Sequence, residues 1–106
     1  MDKNNDGIWI IDPDAKTVYA SEQMAKILGT TQSEMFGSQS FSYLFPEDLD
    51  AAQHLFNTKK RGDNNAFRFR LRRKDGSAVW VDVQPTPIYN AAGIFNGIIG
   101  TFTPHV

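Results

Sequence analysis

Residues 67–83 read FRFRLRRKDGSAVWVDV, and apolar and polar side chains alternate on both sides of the central turn residues. Alternation with a period of two residues predicts a β-hairpin with one buried face. The apolar side chains fall on one face of each strand: Phe67, Phe69, Leu71, Val79, Val81 and Val83. The opposite face of the hairpin is charged and aromatic.

The loop of this hairpin must contain an odd number of residues. A two-residue loop at Asp75-Gly76 would set odd-numbered residues opposite even-numbered ones and divide the apolar set between core and solvent. We therefore predict a loop at residues 75–77, in which Gly76 adopts a positive φ. This register predicts four cross-strand pairs: Leu71 with Val81, Phe69 with Val83, Arg72 with Trp80, and Arg70 with Asp82.

Motifs along the whole chain resemble those of a PAS sensory domain. In the C-terminal half they are RLRRKDGS at residues 70–77, WV at 80–81, PI at 87–88, Gly93 and GIIG at 97–100. In the N-terminal half they are GIWIIDPD at 7–14, VYAS at 18–21, AKILG at 25–29, EMFG at 34–37 and FPED at 45–48. They follow in the family's order and at its spacing from about Asp6 to Phe102.

The resemblance implies an α+β PAS fold, in which a five-stranded antiparallel sheet carries short helices across one face and a small apolar cavity lies between them. Residues 1–106 are accordingly identified as a single PAS sensory domain. We expect it to be excised from a larger signalling protein.

Composition agrees with one small domain. The chain has 106 residues, of which 41% are hydrophobic, and this is enough for one core. Its net charge of −1 gives no general attraction to nucleic acid or to an anionic membrane. No apolar run approaches the ~20 residues that cross a bilayer, and no signal peptide opens the sequence. We therefore predict a cytoplasmic location without membrane insertion.

Other segments carry strand and helix signals. Residues 8–11 are wholly apolar, which is typical of a central strand covered on both faces. Pro85 lies where the fourth strand should still be paired, so we expect a bulge or an early end of the ladder there. The remaining predicted elements are a strand at 17–20, a helix capped by Ser21 and ended by Gly29, a capping box at 31–34, a helix from Pro46 to about Lys59, and a strand at 94–103.

In relatives, the cavity holds haem, flavin, a chromophore or a small metabolite. In the flavin-binding light sensors a reactive cysteine follows the Gly-Arg-Asn of a helix, and the matching stretch here is GSQS at residues 37–40. Because Ser40 stands at the cysteine position, no flavin–thiol adduct can form. The arginine and glutamine that hold flavin in that subgroup have no match in FSYL at 41–44. Flavin bound without an adduct stays open, and Trp9 is compatible with it.

Haem would need an axial ligand, and His54 is the histidine within the predicted folded span. On a helix through residues 49–56, four apolar side chains define the buried direction: Leu49, Ala52, Leu55 and Phe56. His54 points roughly opposite to it, towards water. It also lies one place later than the haem-ligating histidine of the oxygen-sensing relatives. We therefore expect no cofactor, neither haem nor flavin, and no metal.

Catalysis has no support in the sequence. It contains no recognisable serine–histidine triad order, no paired carboxylates on one apolar face and no glycine-rich loop before a helix. We predict no catalytic residues, and the resemblance places any enzymatic activity in a separate effector domain.

Eight of the eleven basic residues lie between Lys59 and Lys74. Arg68, Arg70 and Arg72 share one strand face and could contact phosphates. The predicted contacts with Trp80 and Asp82 leave few of these charges free. We therefore predict no binding of nucleic acid.

Two functions from different classes fit this chain. The first is a sensory module that binds a small ligand and passes a conformational change to a C-terminal effector domain, which in relatives is a histidine kinase, a cyclic-dinucleotide enzyme or a transcriptional regulator. The second is a filled-core PAS domain that acts in homodimerisation or another protein interaction. The predicted cavity side chains are bulky and favour a full or nearly full cavity: Trp9, Ile11, Tyr19, Met24, Leu28, Phe41, Phe56, Phe67, Phe69, Leu71, Val81, Val83 and Phe102.

The outer face of the first strand is the predicted dimer face. If Trp9 and Ile11 face the cavity, Ile8 and Ile10 lie on the outer sheet face, which relatives cover with an N-terminal helix or a second protomer. Residues 1–6 are too short and polar to cover it, so we expect a homodimer. At the other end, residues 104–106 read PHV in place of the family's Asp-Ile-Thr exit to a signalling helix.

Overall fold

The computed structural model describes residues 6–105 of the chain. Within this range lie five strands: β1 Gly7–Ile11, β2 Thr17–Ala20, β3 Phe67–Arg72, β4 Ala78–Tyr89 and β5 Phe95–Pro104. They form one antiparallel sheet in the order β2-β1-β5-β4-β3. Between β2 and β3 the chain forms helices α1 Glu22–Leu28, α2 Gln32–Met35 and α3 Leu49–Lys60, with 3-10 turns at Ser40–Tyr43 and Pro46–Asp48. The predicted α+β PAS architecture is confirmed.

Side-chain caps set the ends of the first two helices. Ser21 Oγ accepts a hydrogen bond from the Met24 N–H at 3.2 Å, and Gly29 ends α1 with φ 70°. Thr31 Oγ1 accepts from the Glu34 N–H at 3.2 Å, as the capping box predicts. None of the helices between residues 6 and 105 has the length and apolar character needed to cross a bilayer.

The β3–β4 hairpin has the predicted faces but a different register. Its apolar side chains oppose one another as Phe67 with Val83, Phe69 with Val81 and Leu71 with Val79. The loop comprises residues 74–76 rather than 75–77, and the Arg73 N–H donates to Ser77 O across its base at 2.8 Å. A three-residue hairpin loop takes its left-handed residue in the last position, and Gly76, with φ 91°, occupies that position. The predicted register is therefore wrong by two residues, while the odd loop length keeps the faces correct.

This shift changes the partners of the β3 arginines. Arg68, rather than Arg70, pairs with Asp82 at 2.8 Å and holds the pKa of that carboxyl below its usual value. Arg72 does not lie opposite Trp80, and its guanidinium donates to the backbone carbonyls of residues 42 and 44.

Arg70 lies opposite Trp80, but its guanidinium turns towards the segment that precedes α3. It bonds Asp48 at 2.8 Å and lies 4.4 Å from the centre of the Phe45 ring. Because β3 lies at one edge of the sheet, this segment can reach side chains that leave the strand on its outer face.

The hairpin loop is fastened to the end of α1. The Lys74 N–H donates to Leu28 O at 2.9 Å, and Arg73 Nε donates to Ile27 O at 3.2 Å. The last carbonyls of a helix have no partners within it, so the loop supplies donors that α1 lacks. Lys74 Nζ also bonds the Glu34 carboxylate at 2.8 Å, which lowers the pKa of that group.

Two strand predictions need correction. β1 is covered only on its inner face, since Trp9 is 5% exposed and Ile8 is 41% exposed. Pro85 causes no bulge, because it pairs with Gly100 in a ladder whose irregularity lies at residues 88–89. Nor does the ladder end early there, because β4 stays paired with β5 as far as Tyr89. The β3–β4 ladder stops at Val83, opposite the first residue of β3, and beyond it β4 pairs with β5 alone, where a residue without an N–H is tolerated. The prediction that the first residues leave the outer face uncovered concerns residues 1–5, which lie outside the described range.

Candidate functional site

An apolar cavity of about 120 Å³ lies between the inner face of the sheet and the layer formed by α3 and the 3-10 turn Ser40–Tyr43. Nine of the residues predicted for its wall line it: Trp9, Ile11, Phe41, Phe56, Phe67, Phe69, Leu71, Val83 and Phe102. Most of them lie on strands, where the period of two assigns each side chain to a face.

The other four predicted residues do not line the cavity. Tyr19 is on the outer face and 45% exposed, because it pairs with the outward Ile10. Met24, Leu28 and Val81 are fully buried elsewhere in the same core. α1 lies against β1 so closely that a Cβ on Gly7 would come within 2.7 Å of Met24 Cα, which leaves no space there.

Eight further residues line the cavity and were not predicted: Ser40, Leu44, Ala52, Leu55, Lys59, Pro85, Ile98 and Gly100. Two patterns could have found most of them. Ala52, Leu55, Phe56 and Lys59 follow the i, i+3, i+4, i+7 spacing of one helix face. Ile98 and Gly100 share the strand face of Phe102. No pattern singles out Ser40, which lies in a short 3-10 turn.

Trp9 forms one rigid end of the cavity. Its Nε1 donates to Thr17 Oγ1 at 2.9 Å, and both side chains are buried. Its ring centre lies 5.7 Å from that of Tyr43 and 5.4 Å from that of Phe102. Such tilted aromatic contacts at this distance are favourable, so this part of the wall is held in one position.

Lys59 closes another side of the cavity and is only 4% exposed. Its Nζ bonds Asp63 Oδ2 at 2.8 Å and Asn65 O at 3.4 Å, and it lies 4.9 Å from the centre of the Phe67 ring. The hydrogen bond from Lys59 lowers the pKa of Asp63, so this carboxyl is ionised at neutral pH. The buried ammonium is therefore neutralised by its own neighbour.

Ser40 is the cavity residue with an unused polar group. The residue is 8% exposed, and its N–H donates to Ala15 O at 2.9 Å. Within residues 6–105, its Oγ is the one buried side-chain oxygen or nitrogen without a hydrogen-bond partner. Buried hydroxyls are normally hydrogen-bonded, so this oxygen is available for a hydrogen bond with a further group.

The residues considered for haem and metal lie away from the cavity. His54 is exposed on α3 and is absent from the cavity wall, as predicted. Between residues 6 and 105, no three His, Cys, Asp or Glu side chains come close enough together to hold a metal ion.

The outer face of the sheet carries a second feature, an uncharged apolar patch. We define this outer patch as Ile8, Ile10, Tyr19 and Ile99. Ile10 pairs with Tyr19 on one side and with Ile99 on the other, so the four side chains are contiguous across three strands. Ile8 and Ile10 thus lie on the outer sheet face, as predicted.

Comparisons with known proteins agree with this architecture. The family model of the PAS fold matches residues 1–104. Hypoxia-inducible factor 1-alpha of Xenopus laevis is 30% identical over 82 residues, which are 74% of this chain and 10% of that protein. The chain therefore spans about a tenth of the length of the curated relatives it matches.

Two solved structures illustrate the shared fold. The PAS domain of a Colwellia psychrerythraea protein superposes with a TM-score of 0.87 at 17% identity, covering 94% of this chain and 86% of that one. A structure described as "Flavin Analogue Sheds Light on Light-Oxygen-Voltage Domain Mechanism" gives a TM-score of 0.81 at 25% identity, covering 94% and 77%. Because the family model matches nearly the whole length of the chain, the chain belongs to the PAS family of regulatory sensory domains.

Proposed function

We propose that this domain senses a small, mainly apolar molecule in the cavity under α3 and passes the resulting change to an effector domain of its parent protein. The apolar cavity of about 120 Å³ carries this proposal. Protein cavities of roughly this size, lined by apolar side chains, stay dry and bind benzene or xenon.

The energetic cost of the cavity supports a role in binding. The wall exposes apolar surface that a fully packed core would bury, and burial of apolar surface stabilises a fold. Ala52 lies in the cavity wall, and a larger apolar residue there would occupy the void. One substitution could fill this space, but the sequence leaves it open. This favours the ligand-binding function over the function of a filled-core domain.

Size and lining argue against the larger PAS cofactors. Pockets that hold drug-sized ligands have volumes of about 300–1,000 Å³, well above the 120 Å³ found here. Ser40 supplies no thiol for a flavin adduct, and His54 is outside the cavity. The residues present therefore do not fit flavin or haem, and we propose that the domain carries neither.

The central strand offers a route from the cavity to the outer face. On β5, Ile98, Gly100 and Phe102 line the cavity, while Ile99 and Thr101 between them leave the sheet on its other side. A Cβ on Gly100 would come within 2.6 Å of the Phe102 ring, so this strand has little room on its inner face. A ligand that displaces these residues would therefore shift the outer patch.

The effector is proposed to belong to one of three classes: a histidine kinase of a two-component system, a cyclic-dinucleotide enzyme or a transcriptional regulator. Any catalysis would then lie in that separate domain. The coding sequence that follows Val106 in the parent gene tests this. A helix with a heptad pattern leading into one of these domains supports the proposal, and a chain without any effector contradicts it.

Association is a second candidate function, favoured by the outer patch. Its four side chains are exposed or half-buried, and none is charged. The same patch on a second copy of this chain could therefore face it without bringing like charges together. We propose a homodimer through this face, on which a change in the cavity would act directly.

Titration with benzene tests the sensory proposal. Benzene should shift the ¹H–¹⁵N NMR signals of residues around the cavity in the wild-type protein. Ala52→Leu should fill the cavity, abolish these shifts and raise the free energy of unfolding by ~0.5–2 kcal/mol. Ala51→Leu, at the exposed neighbouring position of α3, is the matched control and should retain binding. Equal benzene shifts in wild type and Ala52→Leu would contradict the proposal.

A further inference from the structure

The chemistry of the cavity restricts the molecule that it can bind. The wall is apolar except at Ser40 and Lys59. Ser40 Oγ is buried and has no hydrogen-bond partner within residues 6–105. Leaving a buried hydroxyl without a hydrogen-bond partner is unfavourable. A ligand with one polar group that hydrogen-bonds this hydroxyl therefore binds more tightly than one without it.

Water is a poor partner for this hydroxyl. A buried water molecule is held by about two to four polar groups, and Ser40 Oγ offers one. The other polar group of the wall, Lys59 Nζ, is directed to Asp63 and Asn65. A single water in the cavity would therefore leave most of its own hydrogen bonds unmade.

Charge and size define the rest of the ligand. Because Asp63 already neutralises Lys59 at 2.8 Å, an anionic ligand would meet no free positive charge in the cavity. A cavity of roughly 150 Å³ takes one benzene molecule, so 120 Å³ limits the ligand to at most a single six-membered ring or an aliphatic molecule of similar size.

Building on the proposed function, we propose that the domain binds a neutral, ring-sized apolar molecule that carries one hydroxyl or carbonyl group, and that this group hydrogen-bonds Ser40 Oγ. Ser40 is then the specificity-determining residue of the cavity. The rest of the wall supplies apolar contact, to which the aromatic rings of Phe41 and Phe56, 6.0 Å apart, contribute.

Phenol, benzene and benzoate are the probes that test this inference, with dissociation constants measured by ¹H–¹⁵N NMR titration. For a ligand of seven non-hydrogen atoms such as phenol, we expect a dissociation constant of roughly 0.1–1 mM. Ser40→Ala should weaken phenol about fivefold, which corresponds to one neutral hydrogen bond, and should change benzene by less than about twofold. Benzoate should bind the wild type at least about tenfold more weakly than phenol, because its charge is buried without a partner.

Ser42→Ala is the matched control, since Ser42 lies in the same 3-10 turn but is exposed, with its Oγ donating to Gln39 O at 2.6 Å. It should leave the phenol constant unchanged. The melting temperature of Ser40→Ala should not fall below that of the wild type, because the substitution removes a hydroxyl without a partner. A marked fall would assign Ser40 a structural role and overturn the inference.

The remaining outcomes separate this inference from the proposed function. If phenol and benzene both bind but Ser40→Ala leaves phenol unaffected, the ligand class is wrong and the sensory cavity stands. If benzoate binds more tightly than phenol, the inference that the ligand is neutral is wrong, and the proposed sensory function still stands. If none of the three probes shifts the signals of the cavity residues, both proposals fail.

Discussion

Leu71→Ala is the substitution that most directly tests the assignment of the cavity wall. Leu71 is 4% exposed, pairs with Val79 across the hairpin and lines the cavity. The change removes three carbon atoms, which at ~0.8 kcal/mol each amounts to ~2.4 kcal/mol of lost burial. The new space adjoins an existing void, so the neighbours cannot close it easily. We therefore expect a total cost of ~3–4 kcal/mol, within the range known for buried Leu→Ala changes.

Arg68→Ala is the matched control, because Arg68 lies on the same strand with its side chain on the opposite face. Its side chain is 54% exposed and pairs with the half-exposed Asp82 at 2.8 Å. Exposed ion pairs contribute little to stability. This variant should therefore lose less than about a third of the free energy lost by Leu71→Ala.

Urea denaturation followed by circular dichroism measures both costs, with the free energy of unfolding extrapolated linearly to water. The slopes of the transitions should match that of the wild type, which shows that the midpoints report stability. A larger loss for Arg68→Ala than for Leu71→Ala would refute the assignment of faces on β3. The cavity wall that depends on this assignment would then be wrong as well.

Three further predictions concern the cofactor, association and pH. The absorption spectrum of the purified protein should show no Soret band and no blue flavin band; either band would overturn the cofactor proposal. In sedimentation velocity the wild type should dimerise, Ile10→Glu should weaken the dimer and Ala51→Glu should not, while a strictly monomeric wild type at high concentration contradicts the outer patch as an interface. Because its hydrogen bond to Lys59 lowers the pKa of Asp63 in the folded state, this carboxylate stabilises the fold above its unfolded pKa, near 3.8, and the contribution is lost as the pH falls through the lower folded value. In Asp63→Asn, the urea midpoint should therefore fall less steeply than in the wild type as the pH is lowered. An unchanged slope would count against a stabilising Lys59–Asp63 ion pair.

The β3–β4 hairpin shows which features the sequence could predict and which it could not: the odd number of loop residues was predictable, and the register was not. The period of two and the need to keep Phe69 and Leu71 on one face require an odd loop, and the structure has one. Registers that differ by two residues keep the same faces, so the apolar pattern cannot separate them. The position of Gly76 within the loop decides between them, because only the last loop residue needs the left-handed conformation.

The errors at the site have similar physical causes. Tyr19 was predicted to face the cavity, but it pairs with the outward Ile10. The irregularity between Ile10 and Ile11 puts Thr17 and Tyr19, which are two positions apart, on opposite faces, and the sequence gives no sign of it. Ser40 went unrecognised as a cavity residue because a four-residue 3-10 turn has no periodicity from which a buried face could be predicted. Its lack of a partner depends on the positions of every surrounding polar group, which emerge only from the folded chain.

The attachment of the β3–β4 loop to α1 makes this turn and the β4–β5 turn unequal for protein engineering. Exposed hairpin turns usually accept inserted tags or reporter peptides. An insertion at residues 75–76 would pull Lys74 and Arg73 away from the last carbonyls of α1 and disturb a helix more than 40 positions earlier in the sequence. The β4–β5 turn is closed by its own bonds among Asn90, Gly93 and Ile94. Ala91-Ala92 is therefore the place at which a reporter can be inserted with only local effect.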